Sequence, residues 1–180
     1  MRKFTKQMSD QWGFSLFEAA LTIAVLGAMV TAFLPSFVNE LKVDKIRGAR
    51  EDVRMARDEL LGHLMINKEL PADFRLLGHV QDSYDNDLQY ANASVENICT
   101  FITSGNNTSL KIETLDGTVI NDVVYVIASM GENDVLDTDM NATTIKIYKY
   151  GDESAYSNNT YDDVVEYVTL GYIASKVDCP

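Results

Sequence analysis

Asp137, Asp139 and Asn141 stand two residues apart in the stretch MGENDVLDTDMNA (130–142). An oxygen-bearing side chain at every second position is how the first half of an EF-hand loop meets calcium. The pattern then breaks. Ala142 stands where that loop needs glycine, and Tyr148 where it needs a bidentate glutamate, so an EF-hand is excluded. What remains is either a calcium site of another kind or a solvated acidic loop. A second carboxylate stands out for its surroundings. Glu18 is the only charged residue in FSLFEAALTIAVLGAMVTAFLPSFV (14–38), and a carboxylate beside hydrocarbon costs at least about 2–3 kcal/mol. Cys99 and Cys179 are the only cysteines, and His63 and His79 the only histidines. Neither histidine has a serine or cysteine partner legible in the sequence, so no catalytic constellation is present and an enzyme is not expected.

The apolar run 14–38 is long enough, at about 1.5 Å per helical residue, to cross a hydrocarbon core of about 30 Å. The leader before it, MRKFTKQMSDQWG, carries Arg2, Lys3 and Lys6, which holds that flank in the cytoplasm and places the residues after the span outside. A cleaved secretory signal fits less well, because the run ends in no A-x-A-like site and helical spacing continues beyond it. A plain single-span anchor explains the hydrophobicity but leaves Glu18 without a role.

The junction GFSLFE (13–18) resembles the class III leader of type IV pilins and type II secretion pseudopilins. The resemblance implies that a membrane prepilin peptidase cuts after Gly13 and methylates the new amine of Phe14. Glu18 is then the fifth residue of the mature chain, where that family keeps its glutamate. Its implied role is to pair with the N-terminal amine of a neighbouring subunit during assembly; the alternative is a hydrated side chain used only in peptidase recognition. Gly27 and Pro35 fall where pilin-like helices carry a loosening glycine and a kinking proline. Ser15 stands where threonine is commoner.

Apolar residues then recur three or four apart: Val38, Leu41, Ile46, Ala49, Val53, Ala56, Leu60 and Leu64. This predicts an amphipathic helix continuing the membrane helix to about Asn67, with Pro71 beyond its end and a sheet covering its apolar stripe. The following segment resembles a stretch of major pseudopilins, with Asp82, Tyr84, Asn86, Leu88 and Tyr90 in the matching places. Strands are predicted over 98–102 and 109–113, paired as a hairpin around GNNT, and over 122–129, 143–150 and 162–170. The expected fold class is α+β, a pilin-like lollipop: one long helix on a small antiparallel sheet. The expected organisation is a leader (1–13), a transmembrane segment (14–38) and a globular domain outside the cytoplasm (39–180).

The region 123–170 also resembles the C-terminal part of major pseudopilins, including the small-residue, glycine, acidic turn at 129–133. The resemblance implies one calcium held by the acidic loop and a later aspartate pair, here Asp162 and Asp163, giving a ligand set drawn from Asp137, Asp139, Asn141, Asp162 and Asp163. Both cysteines lie on the exported side, where disulfides persist, so a Cys99–Cys179 bridge is expected, with two free thiols as the alternative.

The whole chain has a formal net charge of −12; without residues 1–13 it keeps 12 of its 15 basic and 26 of its 27 acidic residues, a charge of −14. So acidic a chain is not expected to take nucleic acid as its main partner. The expected function is a structural subunit of a type IV pilus-like filament, first a type II secretion pseudopilin, second a true type IV pilin. A membrane-anchored binding module is the rival of another class. The expected partners are further copies of the chain, related pilins or pseudopilins, the inner membrane with its assembly platform, and the peptidase.

Overall fold

The computed structural model describes residues 15–152 and 160–179. They form two units, one running to Lys42 and one beginning at Val43. Helix α1, Leu16–Asn67, contributes to both.

Within the first unit no described residue is buried, and Leu16, Phe17, Ile23 and Phe33 each expose more than two thirds of their surface. It contains one stretch long and apolar enough to cross a membrane. Gly27 and Pro35 lie inside the helix without ending it. A Cβ at Gly27 would meet nothing within 4 Å, so no packing contact requires glycine there.

The second unit begins with the amphipathic half of α1. Ala49, Val53, Ala56, Leu60 and Leu64 are fully buried, as the three-and-four spacing requires. They pack under a five-stranded sheet of β1 (Gln89–Asn92), β2 (Leu110–Thr114), β3 (Val119–Ser129), β4 (Thr144–Ile147) and β5 (Val164–Thr169). Two short helices complete it, α2 (Ile98–Thr103) between β1 and β2, and α3 (Leu170–Ala174) after β5.

Strand β3 is central. β5 pairs antiparallel with it from Val123↔Thr169 to Ser129↔Val164. β1 pairs antiparallel with residues 125–128 of β3, and β2 with residues 119–123. Residues 123–129 of β3 are all buried, and core forms on both faces of the strand: Val124, Tyr125 and Ile127 join the α1 stripe, while Val123 and Val126 join Leu110, Ile112 and Ile145. Arg57 fastens helix to sheet twice. Its carbonyl accepts from the Tyr125 hydroxyl at 3.0 Å, and its guanidinium meets Glu166 at 3.0 Å.

The layout is α+β, but three sequence expectations are corrected. Residues 98–102 are helix α2, not a strand. The Asn97 side chain caps it by accepting the Thr100 N–H, and Ile98, Phe101 and Ile102 face the core at helical spacing. The hairpin therefore joins β2 to β3 through Asp116 and Gly117, where Gly117 takes a φ of +80°, rather than turning at GNNT. The sheet is mixed, not antiparallel, because β4 runs parallel to β2. Strand β1 is not among the strands expected from sequence, since four residues half-buried in succession give no alternation to read.

Cys99 and Cys179 form a disulfide across 80 residues. Beside it, the Lys68 ammonium donates to the Asp178 carbonyl at 2.9 Å and the Lys68 carbonyl accepts the Ile98 N–H at 2.8 Å. The chain's last turn is thus tied to the end of α1. Closing so long a loop stabilises by about 4 kcal/mol on a chain-entropy basis. Replacing both cysteines by alanine in the full chain should lower the unfolding free energy by about 2–4 kcal/mol, read as a fall in Tm or in denaturant midpoint. An unchanged midpoint would show the bridge to be without structural weight.

Candidate functional site

The β3–β5 pairing decides where the acidic residues meet. Because Ser129 is opposite Val164, the loop leaving β3 and the pair entering β5 lie at one end of the sheet. Gly131 opens the loop at φ +69°, and a Cβ there would collide with Asp162, lying 2.5 Å from its carbonyl oxygen and 2.6 Å from its Cγ. Only glycine permits that approach. The turn Gly131–Asn133 then aims the N–H groups of Glu132 (2.7 Å) and Asn133 (3.0 Å) at Asp162 Oδ2. The Asn133 amide reaches Asp137 Oδ2 at 3.2 Å.

Asp137, Asp162 and Asp163 converge, each offering an oxygen within 4.8 Å of the others. All three are buried, at 0%, 8% and 6% relative exposure. Asp162 Oδ1 and both oxygens of Asp163 have no hydrogen-bond partner. Burial, joined by the Asp137 charge, pushes the Asp163 carboxyl up to about 7; the Thr138 hydroxyl and nearby backbone N–H groups pull the other way without reaching hydrogen-bond geometry. Asp162 is also raised, again chiefly by burial, against the pull of its two backbone donors. Tyr161 and Thr138, hydrogen-bonded to each other at 2.9 Å, are buried beside these aspartates.

Three buried carboxylates, of which Asp162 and Asp163 have unpartnered oxygens, have two ways to relieve their charge: take up protons, or hold a cation. The donors are all hard oxygens, which suits calcium or magnesium and not the nitrogen- or sulfur-preferring metals. Calcium takes six to eight oxygens, so Asp137, Asp162 and Asp163 fit as the anionic part of a set completed by backbone carbonyls and water. Asp139 and Asn141 stand outside this cluster. Asp139 Oδ1 accepts the Asn141 N–H at 3.1 Å, a local turn, and Asn141 is exposed. Their two-residue spacing serves a local turn of the kind aspartate and asparagine favour.

Sequence reasoning noted Asp82, Ser129 and Gly131 only as parts of matching segments, without roles. Asp82 is buried and accepts the N–H groups of Tyr84 and Asn86, both at 2.9 Å, and the Ser129 hydroxyl at 2.5 Å. A buried aspartate is visible in a sequence only through its context, here the D-x-Y-x-N turn.

At the other end of the chain, Gly13 and Phe14 lie outside the described residues. Glu18 accepts the Ser15 N–H at 2.9 Å, and the Ser15 hydroxyl accepts the Glu18 N–H at 3.2 Å. This is a reciprocal capping box, a role the S-x-x-E spacing makes legible and the sequence reading did not assign. It starts α1 and holds the carboxylate at the N-terminal, positive end of the helix.

Compared with known proteins, the chain matches no family model, no curated protein and no solved structure.

For the metal-free chain the sign follows from Asp163. Its folded value, about 7, lies above the ordinary 3.8. Between about pH 4 and pH 7 the folded chain keeps a proton that the unfolded chain has released, so stability should fall as pH rises through that window and level off above it. Thermal unfolding in chelator, with Asp163→Asn beside the parent, should show the slope in the parent and a flatter profile in the variant. Millimolar calcium should raise the parent Tm at pH 7.5 and leave Asp163→Asn unmoved. An unmoved parent Tm would dismiss the ion.

Proposed function

We propose that this chain is a structural subunit of a type IV pilus-like filament, most closely a pseudopilin of type II secretion, and not an enzyme. The observation that carries the reading is the form of α1. It begins at Leu16, is capped by Ser15 and Glu18, is wholly exposed and apolar in its first half, and is buried under a sheet in its second. A helix so divided needs a second environment for the first half. Lipid supplies it before assembly, and the same segment of other copies supplies it in a filament. Cleavage after Gly13 turns Phe14 into a free amine four residues before Glu18. The carboxylate in the capping box then sits beside the chain terminus, ready to balance an amine from a neighbour. Calcium at Asp137, Asp162 and Asp163 neutralises the buried charge and rigidifies that end of the head.

A second reading, a true surface pilin, is favoured by one feature. The Cys99–Cys179 bridge staples the C-terminal segment as pilin disulfide loops do, and major pseudopilins typically lack it.

Mass spectrometry of protein purified from membranes should give Phe14, methylated, as the N-terminal residue; an intact residue 1–13 segment, or a cut elsewhere, would refute processing and leave the membrane-anchored binding module. Glu18→Ala should remain in the membrane fraction yet be missing from sheared or crosslinked filaments. Because the capping box contributes about 1 kcal/mol to helix start, Glu18→Gln, which keeps the cap acceptor and drops the charge, separates the two roles. Incorporation of both variants at parental levels would exclude a charge-based role. Electron microscopy of sheared surfaces, with sequencing of the subunits, distinguishes surface pilus from secretion filament.

A further inference from the structure

The loop 82–87 touches the aspartate cradle on one side and helix α1 on the other. It is a closed turn, with the Asp82 N–H donating to the Asn86 carbonyl at 2.9 Å and the Asp85 N–H to the Asp82 carbonyl at 3.0 Å. Toward the cradle, Asp82 Oδ2 accepts the Ser129 hydroxyl, and Ser129 Oγ in turn accepts the Gly131 N–H at 3.2 Å. The Asn86 amide adds bonds to Asp134 Oδ1 at 2.8 Å and to the Gly131 carbonyl at 3.4 Å. Gly131 packs directly on Asp162, and the two residues after it hold Asp162 Oδ2. Toward the helix, the Ser83 hydroxyl donates to Asp52 Oδ2 at 2.5 Å, and a Cβ on Gly48 would run into Ser83 Oγ. The Lys45 ammonium lies 5.3 Å from the centre of the Tyr84 ring.

We propose that this loop couples the ion site to α1: Asp82 and Ser129 are positioning residues for calcium, and occupation of the cradle fixes the loop on the helix at Lys45, Gly48 and Asp52. The inference rests on the calcium reading above and adds to it a route and a direction. Without a cation, repulsion among Asp137, Asp162 and Asp163 favours any loosening of the Gly131 turn, and Gly131 is where Ser129 and Asn86 attach. With a cation, Asp162 is pinned, and the Gly131 turn, Ser129 and Asp82 are held in sequence. Coupling of this kind is reciprocal, so disturbing the loop at its helix end must also weaken the ion.

The test uses the full chain in detergent micelles, calcium chloride as the probe, titration calorimetry for affinity, and amide hydrogen exchange with and without calcium. In the parent, calcium should slow exchange at 81–87 and 45–52 as well as at 130–137. Ser129→Ala, which leaves all three aspartates in place, should weaken calcium about tenfold to a hundredfold and abolish the protection at 81–87. Ser83→Ala, which contacts no cradle residue, should weaken it at least about fivefold, the low end of measured couplings, and remains informative if Ser129→Ala does not fold. Parental calcium affinity in Ser83→Ala, or protection confined to 130–137 and 160–163, would overturn the coupling while leaving the calcium site standing. No calcium uptake by the parent would overturn both.

Discussion

The β3–β5 ladder, from Val123↔Thr169 to Ser129↔Val164, sets both things this head does. Its register turns Val124, Tyr125 and Ile127 toward α1 and Val123 and Val126 to the other face, which is why the central strand reads as an unbroken apolar run. The same register brings the residue after β3 and the residues before β5 to one end. A shift of one residue would send the core side chains to the wrong faces and separate Gly131 from Asp162. Core and cradle are therefore not independent features. The pairing that buries apolar surface also forces three carboxylates into a place with little water.

Two carboxylate problems in this chain have different solutions. Glu18, beside an apolar helix, is answered locally: a serine three residues back and a helix N-terminus supply donors, within one turn and without tertiary structure. The aspartates cannot be answered so. Asp162 has two backbone donors, but Asp163 has none, and its carboxyl is pushed up to about 7. The Glu132 and Asn133 N–H groups serve Asp162 and the Asn133 amide serves Asp137, which leaves the two Asp163 oxygens without a partner. What remains must come from a proton or an ion. That makes this end of the head responsive to solution conditions in a way the α1 interface, held by Val53, Leu60 and Leu64, is not.

Much of this was legible because the periods were long. The α1 stripe from Ala49 to Leu64 repeats over several turns, and its buried members are the residues the spacing selects. The eight apolar-rich residues 122–129 could be read as a buried strand for a similar reason. The failures are short elements. Residues 98–102 contain isoleucine and phenylalanine, which favour strands, yet a single Asn97 cap and the disulfide at Cys99 decide for helix. Strand β1 has no pattern of its own and exists because β3 offers it an edge at residues 125–128. The parallel β2–β4 pair requires a crossover that no local signal announces. At the site, Asp162 and Asp163 beside β5 come together with Asp137 of the D-x-D-x-N stretch, while Asp139 of the same stretch serves a turn, because the same side chains serve turns and ions and only the fold says which.

The two halves of α1 differ in what they can exchange. In the second half, Ala49, Val53, Ala56, Leu60 and Leu64 are withdrawn from solvent entirely. Releasing them would cost the core of the head, at about 25 cal/mol for each Å² exposed. From Leu16 to Val38 every apolar side chain is exposed. Moving such a segment from lipid to a bundle of like helices changes little in hydrophobic terms, because lipid tails are as apolar as the side chains. Packing and polar groups must then decide between the two environments. In 14–38 the one charged group is Glu18, and the remaining polar side chains are Ser15, Thr22, Thr31 and Ser36. Thr22 and Thr31 already spend their hydroxyls on helix carbonyls, and Ser15 caps Glu18. On the proposed reading, the preference of the segment for one environment over the other would fall on helix packing and on how the Glu18 charge is met.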